Sequence, residues 1–164
     1  MRTYLLKIIL TVIVVFNLAS CTSEESAPIS EAALISDYNY NETELAMADA
    51  INQYRLSIGL DALQTINHIS YKSAEHNDYM ISNNVVNHDL FEERSQNLMA
   101  VLGAVKVNEN VAYNYTTPAG ALNAWLNSAG HKANIEGDFT HFGVAVTEDP
   151  INGKKYYTNI FIKK

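Results

Sequence analysis

His88, Glu109 and His131 are the residues of this chain whose types could do chemistry together. Two neutral imidazoles and a carboxylate suit a divalent cation such as Zn2+ with one position left open, because imidazole nitrogen and carboxylate oxygen are both ordinary zinc ligands. A histidine beside a carboxylate can also act as a general base toward water. Spacing alone decides neither: His88 and His131 lie 43 residues apart, and no His-Glu-x-x-His helix or Cys/His cluster is present. Ser128 stands three residues before His131 and could meet it as nucleophile and base. Against that, no Gly-x-Ser-x-Gly elbow surrounds it, and at a helix end its hydroxyl can bond back to a carbonyl. His76 falls on a helix and His141 just before a strand, so both read as packed or solvated, with His76 able to line the same cleft. His68, beside a helix start, is left out of the site. Ten tyrosines serve equally as stacking surface and as core.

These side chains need elements to carry them. Asn41 or Thr43 can cap a first helix in which Leu45, Ala48, Ile51, Tyr54 and Ile58 face inward, ending at Gly59. A second helix is predicted from about Asn67 to Ile81, with Ile69, Ser73, His76 and Met80 on one side and Asn83-Asn84 closing it. Asp89, three residues before Glu92, has capping-box spacing for a third helix through Leu98 to Gly103. Thr117-Pro118 reads as cap and first position of a fourth, with Leu122, Trp125 and Leu126 inward and Gly130 ending it. Strands are predicted over Lys106 to Tyr113, around Phe142, Val144 and Val146, and over Lys155 to Ile162. The last two are joined by the turn chemistry of Asp149-Pro150-Ile151-Asn152-Gly153. Gly143 and Ala145 against Val144 and Val146 point to a sheet covered on both faces.

The N-terminus reads as an address. Arg2 and Lys7 precede an apolar stretch from Ile8 to Leu18, which is shorter than the roughly 20 residues needed to span a bilayer and has the form of a secretory signal. Leu18-Ala19-Ser20-Cys21 resembles the bacterial lipobox, in which the cysteine is lipidated and becomes the first residue after cleavage. Residues 1–20 are thus expected to be a signal peptide and residues 21–41 a flexible acidic tether from lipidated Cys21, leaving residues 42–164 as one domain. Within the tether, Ser23-Glu24-Glu25 resembles the acidic export signals of some surface lipoproteins. Removing residues 1–20 leaves 144 residues and takes Arg2 and Lys7 with it, which moves the formal charge from −7 to −9. An acidic domain with no basic cluster excludes nucleic acid as an expected partner. Cys21 is the chain's one cysteine, so a lipidated Cys21 leaves no disulfide and no catalytic thiol. The expected partners are a membrane, through the lipid, and an envelope ligand. The expected place is the bacterial cell envelope, at the outer membrane or cell surface, as a monomer.

Taken in order, Tyr54-Arg55 with Gly59-Leu60 and Leu63, Asn87-His88-Asp89, Glu109-Asn110-Val111-Ala112, and Trp125 with Ser128, Gly130-His131 and Asn134-Ile135 resemble the CAP superfamily of cysteine-rich secretory, antigen 5 and pathogenesis-related 1 proteins, in its bacterial branch. The resemblance covers about residues 44 to 162. It implies an α+β fold, a three-layer α-β-α sandwich with a central antiparallel sheet and a large cleft. It also implies a cavity lined by two histidines and two acids. His88 matches the first histidine, Glu109 the first acid and His131 the second histidine. Where eukaryotic members place a second glutamate beyond the tryptophan, this chain has Ser128. The expected ligand-binding cleft is therefore His88, Glu109, Ser128 and His131, with a divalent metal on His88, His131 and Glu109. A metal-assisted hydrolase acting on peptide or cell-wall material is the alternative.

Overall fold

The computed structural model describes residues 33–164; the expected signal peptide, Cys21 and most of the expected tether lie outside the described residues. Helix α1 (Glu42–Ser57) starts with a full capping box, in which Asn41 accepts from the Glu44 N–H and the Glu44 carboxylate accepts from the Asn41 N–H. Strand β1 (Gln64–Thr65) leads into α2 (Asn67–Asn83), which ends on Asn84 in the left-handed region at φ 51°. Then come α3 (Phe91–Leu102), β2 (Lys106–Tyr113), α4 (Pro118–Leu126), α5 (Ala129–Ile135), β3 (His141–Glu148) and β4 (Lys155–Lys163).

The sheet order is β1-β3-β4-β2. β3, β4 and β2 are antiparallel, as expected, but the short β1 runs parallel to β3, so the sheet is mixed. Both faces are covered, giving three layers. Phe142, Val144, Val146, Tyr157 and Phe161 pack with Met47, Ile51, Trp125 and Ile135 on the side of α1, α4 and α5. Ile160 and Ile162 pack with Ile69, Leu98 and Val107 on the side of α2 and α3. Gly143 lets α2 sit directly on β3: a Cβ there would collide with the backbone of Ile69 and Ser70.

Three expectations from local pattern are corrected. The inward face of α1 is rotated: Leu45 is 52% and Ile58 45% exposed, while Glu44, Met47, Ala48, Ile51 and Arg55 are buried. Both buried ions have partners that no local pattern announces. Glu44 Oε1 accepts from the Val146 N–H at 3.0 Å and the Tyr38 hydroxyl at 2.7 Å. Arg55 donates to the carbonyls of Ile135, Gly137 and Asp61. Second, Asp89 does not cap α3. Its carboxylate accepts from Tyr79 and Asn87 instead, and Leu90 takes the cap position at φ 59°. Third, Gly130 does not end α4, which stops at Leu126; Gly130 lies inside α5.

Residues 33–41, assigned to the tether by composition, carry no helix or strand but are tied to the domain. His68 Nδ1 accepts from the Ile35 N–H at 3.1 Å, Asn67 donates to Ser36 O, and Tyr40 bonds Ser70. No helix among the described residues is long and apolar enough to cross a membrane.

Candidate functional site

The centre of the site is the Glu109 carboxylate, on β2 and 7% exposed. Arg94, from α3, grips both oxygens, Nε to Oε2 and Nη2 to Oε1 at 2.9 Å each, with Nη2 also 2.8 Å from Oε2. His88 Nδ1 lies 2.8 Å from Oε1. An ion-paired carboxylate only accepts, so His88 carries a proton on Nδ1, while Nε2 has no hydrogen-bond partner among the described residues, on a side chain that is half exposed.

His88 is held in place through its neighbours. His76 Nε2 donates to Asn87 O at 2.9 Å, Arg94 Nη1 donates to Asp89 O at 2.7 Å, and the Phe91 N–H bonds His88 O. The Asn87-His88-Asp89 segment is thereby pinned on both sides of the histidine, which accounts for the spacing seen in the sequence. His76 is almost fully buried, and its Nε2 also lies 3.8 Å from Glu109 Oε1. Because Asn87 O can only accept, His76 carries its proton on Nε2. Its Nδ1 is buried without a partner among the described residues. Burial, followed by the Arg94 and His88 charges, pulls His76 below the usual imidazole range, although Glu109 and the Asn87 bond oppose this.

A second wall comes from α5. Asn134 Nδ2 donates to Asn110 Oδ1 at 2.8 Å and to Glu109 O at 3.2 Å, and Asn108 Nδ2 donates to Asn134 Oδ1 at 2.6 Å. Asn110, fully buried, donates to the His131 carbonyl. These amides explain why Asn110 and Asn134 recur with Glu109 and His131 in the sequence pattern: they fasten the short α5 to β2.

His88 and Glu109 line a hollow of about 320 Å³ together with Phe91, Asn108 and Asn134. His131 and Ser128 line an adjoining hollow of about 340 Å³ whose walls include Val86, Tyr113, Tyr115 and Trp125. Burial lowers the His131 pKa, and the nearby His88 imidazole adds to the effect. Ser128 is the cap residue of α5, and its side chain makes no capping bond.

The donor set does not fit the expected metal. Both Glu109 oxygens are engaged by Arg94, whose guanidinium puts a fixed positive charge where a cation would sit, and His88 turns its protonated nitrogen to the same carboxylate. Among the described residues no group of three or more His, Cys, Asp or Glu side chains is arranged to hold a metal ion. Arg94 is the member that reading the sequence missed, whereas His76, read as able to line the cleft, lies beside Glu109 and Asn87. An arginine in a helix, five residues after the capping candidate Asp89, reads as surface, and only its bond to Glu109, fifteen residues on, makes it part of the site. His68 and His141 lie elsewhere: His68 bonds Ile35 and Asn97, and His141 bonds Thr140.

The chain is 34% identical over 126 residues to the uncharacterized membrane protein YlbC of Bacillus subtilis (strain 168), which covers 74% of this chain and 35% of that protein. The chain thus spans about a third of that relative's length. Among solved structures, an extracellular protein containing an SCP domain from Bacillus anthracis superposes with a TM-score of 0.65 at 29% identity, over 74% of this chain and 40% of that one. An outer surface protein from Borrelia burgdorferi superposes with a TM-score of 0.69 at 18% identity, over 77% and 96%, a likeness of fold alone. The model of the cysteine-rich secretory protein family, CAP, matches residues 48–161, which takes in the sheet, the Arg94–Glu109–His88 cluster and α5. This chain belongs to the CAP family.

Proposed function

We propose that this chain is an extracytoplasmic, lipid-tethered binding domain, carried on the cell envelope by Cys21, whose ligand enters the cleft above Glu109 and contacts His88 and the walls near His131. The observation that carries this reading is the commitment of Glu109. A carboxylate held by a bidentate arginine and an oriented imidazole is a structural anchor for the cleft wall rather than a base or ligand awaiting a substrate. Relatives described as an extracellular protein and a membrane protein support the location. The test is calorimetric titration of the chain with peptide and glycan fragments of cell-wall type. Saturable binding without turnover, weakened at least tenfold by His88→Ala, is the expected result. Absence of binding to every fragment counts against it.

One observation favours a second reading. The half-exposed His88 ring is oriented through Nδ1 by a carboxylate and its Nε2 has no partner among the described residues, an arrangement that suits a general base for water. A hydrolase acting through His88 would turn over a peptide or muropeptide substrate and lose that turnover on His88→Gln.

A further inference from the structure

The two outer edges of the sheet are finished differently. Beyond β3, the outward backbone groups are taken. Gln64 and Ile66 donate to Thr140 O and Phe142 O, the Val144 N–H donates to Ser70 Oγ at 3.2 Å, and the Val146 N–H donates to Glu44 Oε1 at 3.0 Å. At β2 the Asn114 N–H bonds Lys155 O at 2.8 Å, and this sets the phase of the antiparallel ladder. The bonded pairs with β4 are then those of residues 108, 110 and 112, and Glu109, Val111 and Tyr113 turn their backbone groups outward. Two of those carbonyls are served, Glu109 O by Asn134 at 3.2 Å and Val111 O by Trp125 Nε1 at 2.9 Å. The three N–H groups have no acceptor among the described residues. Glu109 and Val111 are 7% and 8% exposed, and each lines one of the two hollows beside β2.

The hollows open along this same edge. Consecutive strand residues face opposite sides of a sheet. A hollow lined by both Asn108 and Glu109, or by Val111, Ala112 and Tyr113 together, therefore lies off the rim of β2 rather than over either face. One wall is the segment carrying Val86 and His88, and the other is Ser128 to Asn134.

Building on the cleft reading above, we propose that its ligand is an extended peptide, laid along β2 as a fifth strand. The outward N–H groups recur every second residue, about 6.8 Å apart at the ordinary strand rise. The carbonyls on one side of an extended peptide recur at the same interval, which is the match used in β-strand addition. The Glu109 and Val111 carbonyls each keep a second lone pair for a peptide N–H, but the peptide's own carbonyls carry the recognition. Its side chains alternate between the His88 wall and the His131 wall.

The experiment is a titration of the whole isotopically labelled chain with a mixed-sequence decapeptide library with blocked termini and, separately, with chitooligosaccharides. Expected is saturable peptide binding with amide exchange at Glu109, Val111 and Tyr113 slowed at least tenfold and exchange at Asn108, Asn110 and Ala112 unchanged. Val111→Pro removes an N–H that the ladder does not use, a substitution an edge strand tolerates, and weakens peptide binding at least tenfold. If that variant does not fold, the exchange measurement on the unaltered chain decides. Peptide binding that leaves those three amides unprotected overturns the inference. Sugar binding without peptide binding overturns it while the cleft reading stands, and no binding of either probe overturns both.

Discussion

Arg94 and Glu109 meet edge to edge, Nε to Oε2 and Nη2 to Oε1 at 2.9 Å each, with both residues under a tenth exposed. Removing one partner of such a pair strands a buried charge. Arg94→Met is expected to lower stability by about 3–5 kcal/mol, read from urea unfolding. Adding Glu109→Gln to it is expected to recover part of that loss, because the stranded charge is gone. Additive losses would show that the pair is not coupled.

Zinc is expected not to bind at His88, Glu109 and His131, since the guanidinium occupies both carboxylate oxygens. Calorimetric titration of the chain checks this, with His88→Ala and His131→Ala as controls. A zinc isotherm lost in both variants would contradict the geometry.

Gly143→Ala is expected to destabilise by about 1–3 kcal/mol or more, the range for an overpacked core. The added methyl group meets the main chain of Ile69 and Ser70 rather than a side chain that can swing away. Thermal unfolding of this variant beside Ala145→Gly, on the same face of β3, separates collision from loss of packing.

Stability is expected to fall as the solution is acidified below about pH 6.5. Burial holds His76 and His131 below the ordinary imidazole value of about 6.5, so just under that pH the unfolded chain binds protons that the folded chain refuses. The stabilisation is present above pH 6.5 and is lost as pH drops through the folded values. Urea midpoints between pH 7.5 and 5 check this, and His76→Gln is expected to flatten the slope.

Cys21→Ser is expected to move the chain from the membrane to the soluble fraction and to remove a lipid mass increment from the mature N-terminus. Fractionation and intact mass measure both. Membrane retention in the variant would show that some other feature anchors the chain.

Some of this was legible residue by residue. Strand β2 runs over Lys106 to Tyr113 as its pattern predicts, Thr117-Pro118 opens α4, and the second helix buries Ile69, Ser73, His76 and Met80 on one side. Periodicity and capping are local, and residues a few positions apart carry them. The resemblance implied one cavity for His88, Glu109 and His131; the structure pairs His88 with Glu109 and places His131 in the adjoining hollow.

The tertiary structure decided which charges go inside. Glu44 is buried and Leu45 exposed because, beside Tyr38 and Asn41 nearby, a backbone N–H on β3, 102 residues away, reaches Glu44; Arg55 is held by Asp61 O and by carbonyls 80 and 82 residues on. Arg94 and His76 joined the site for the same reason. Asp89 lost its capping role because Tyr79 and Asn87 reached its carboxylate first. A sequence displays the period of an apolar face, because neighbours along the chain set it. Whether an ion can leave water depends on donors and acceptors delivered from distant segments, and only the folded arrangement supplies those.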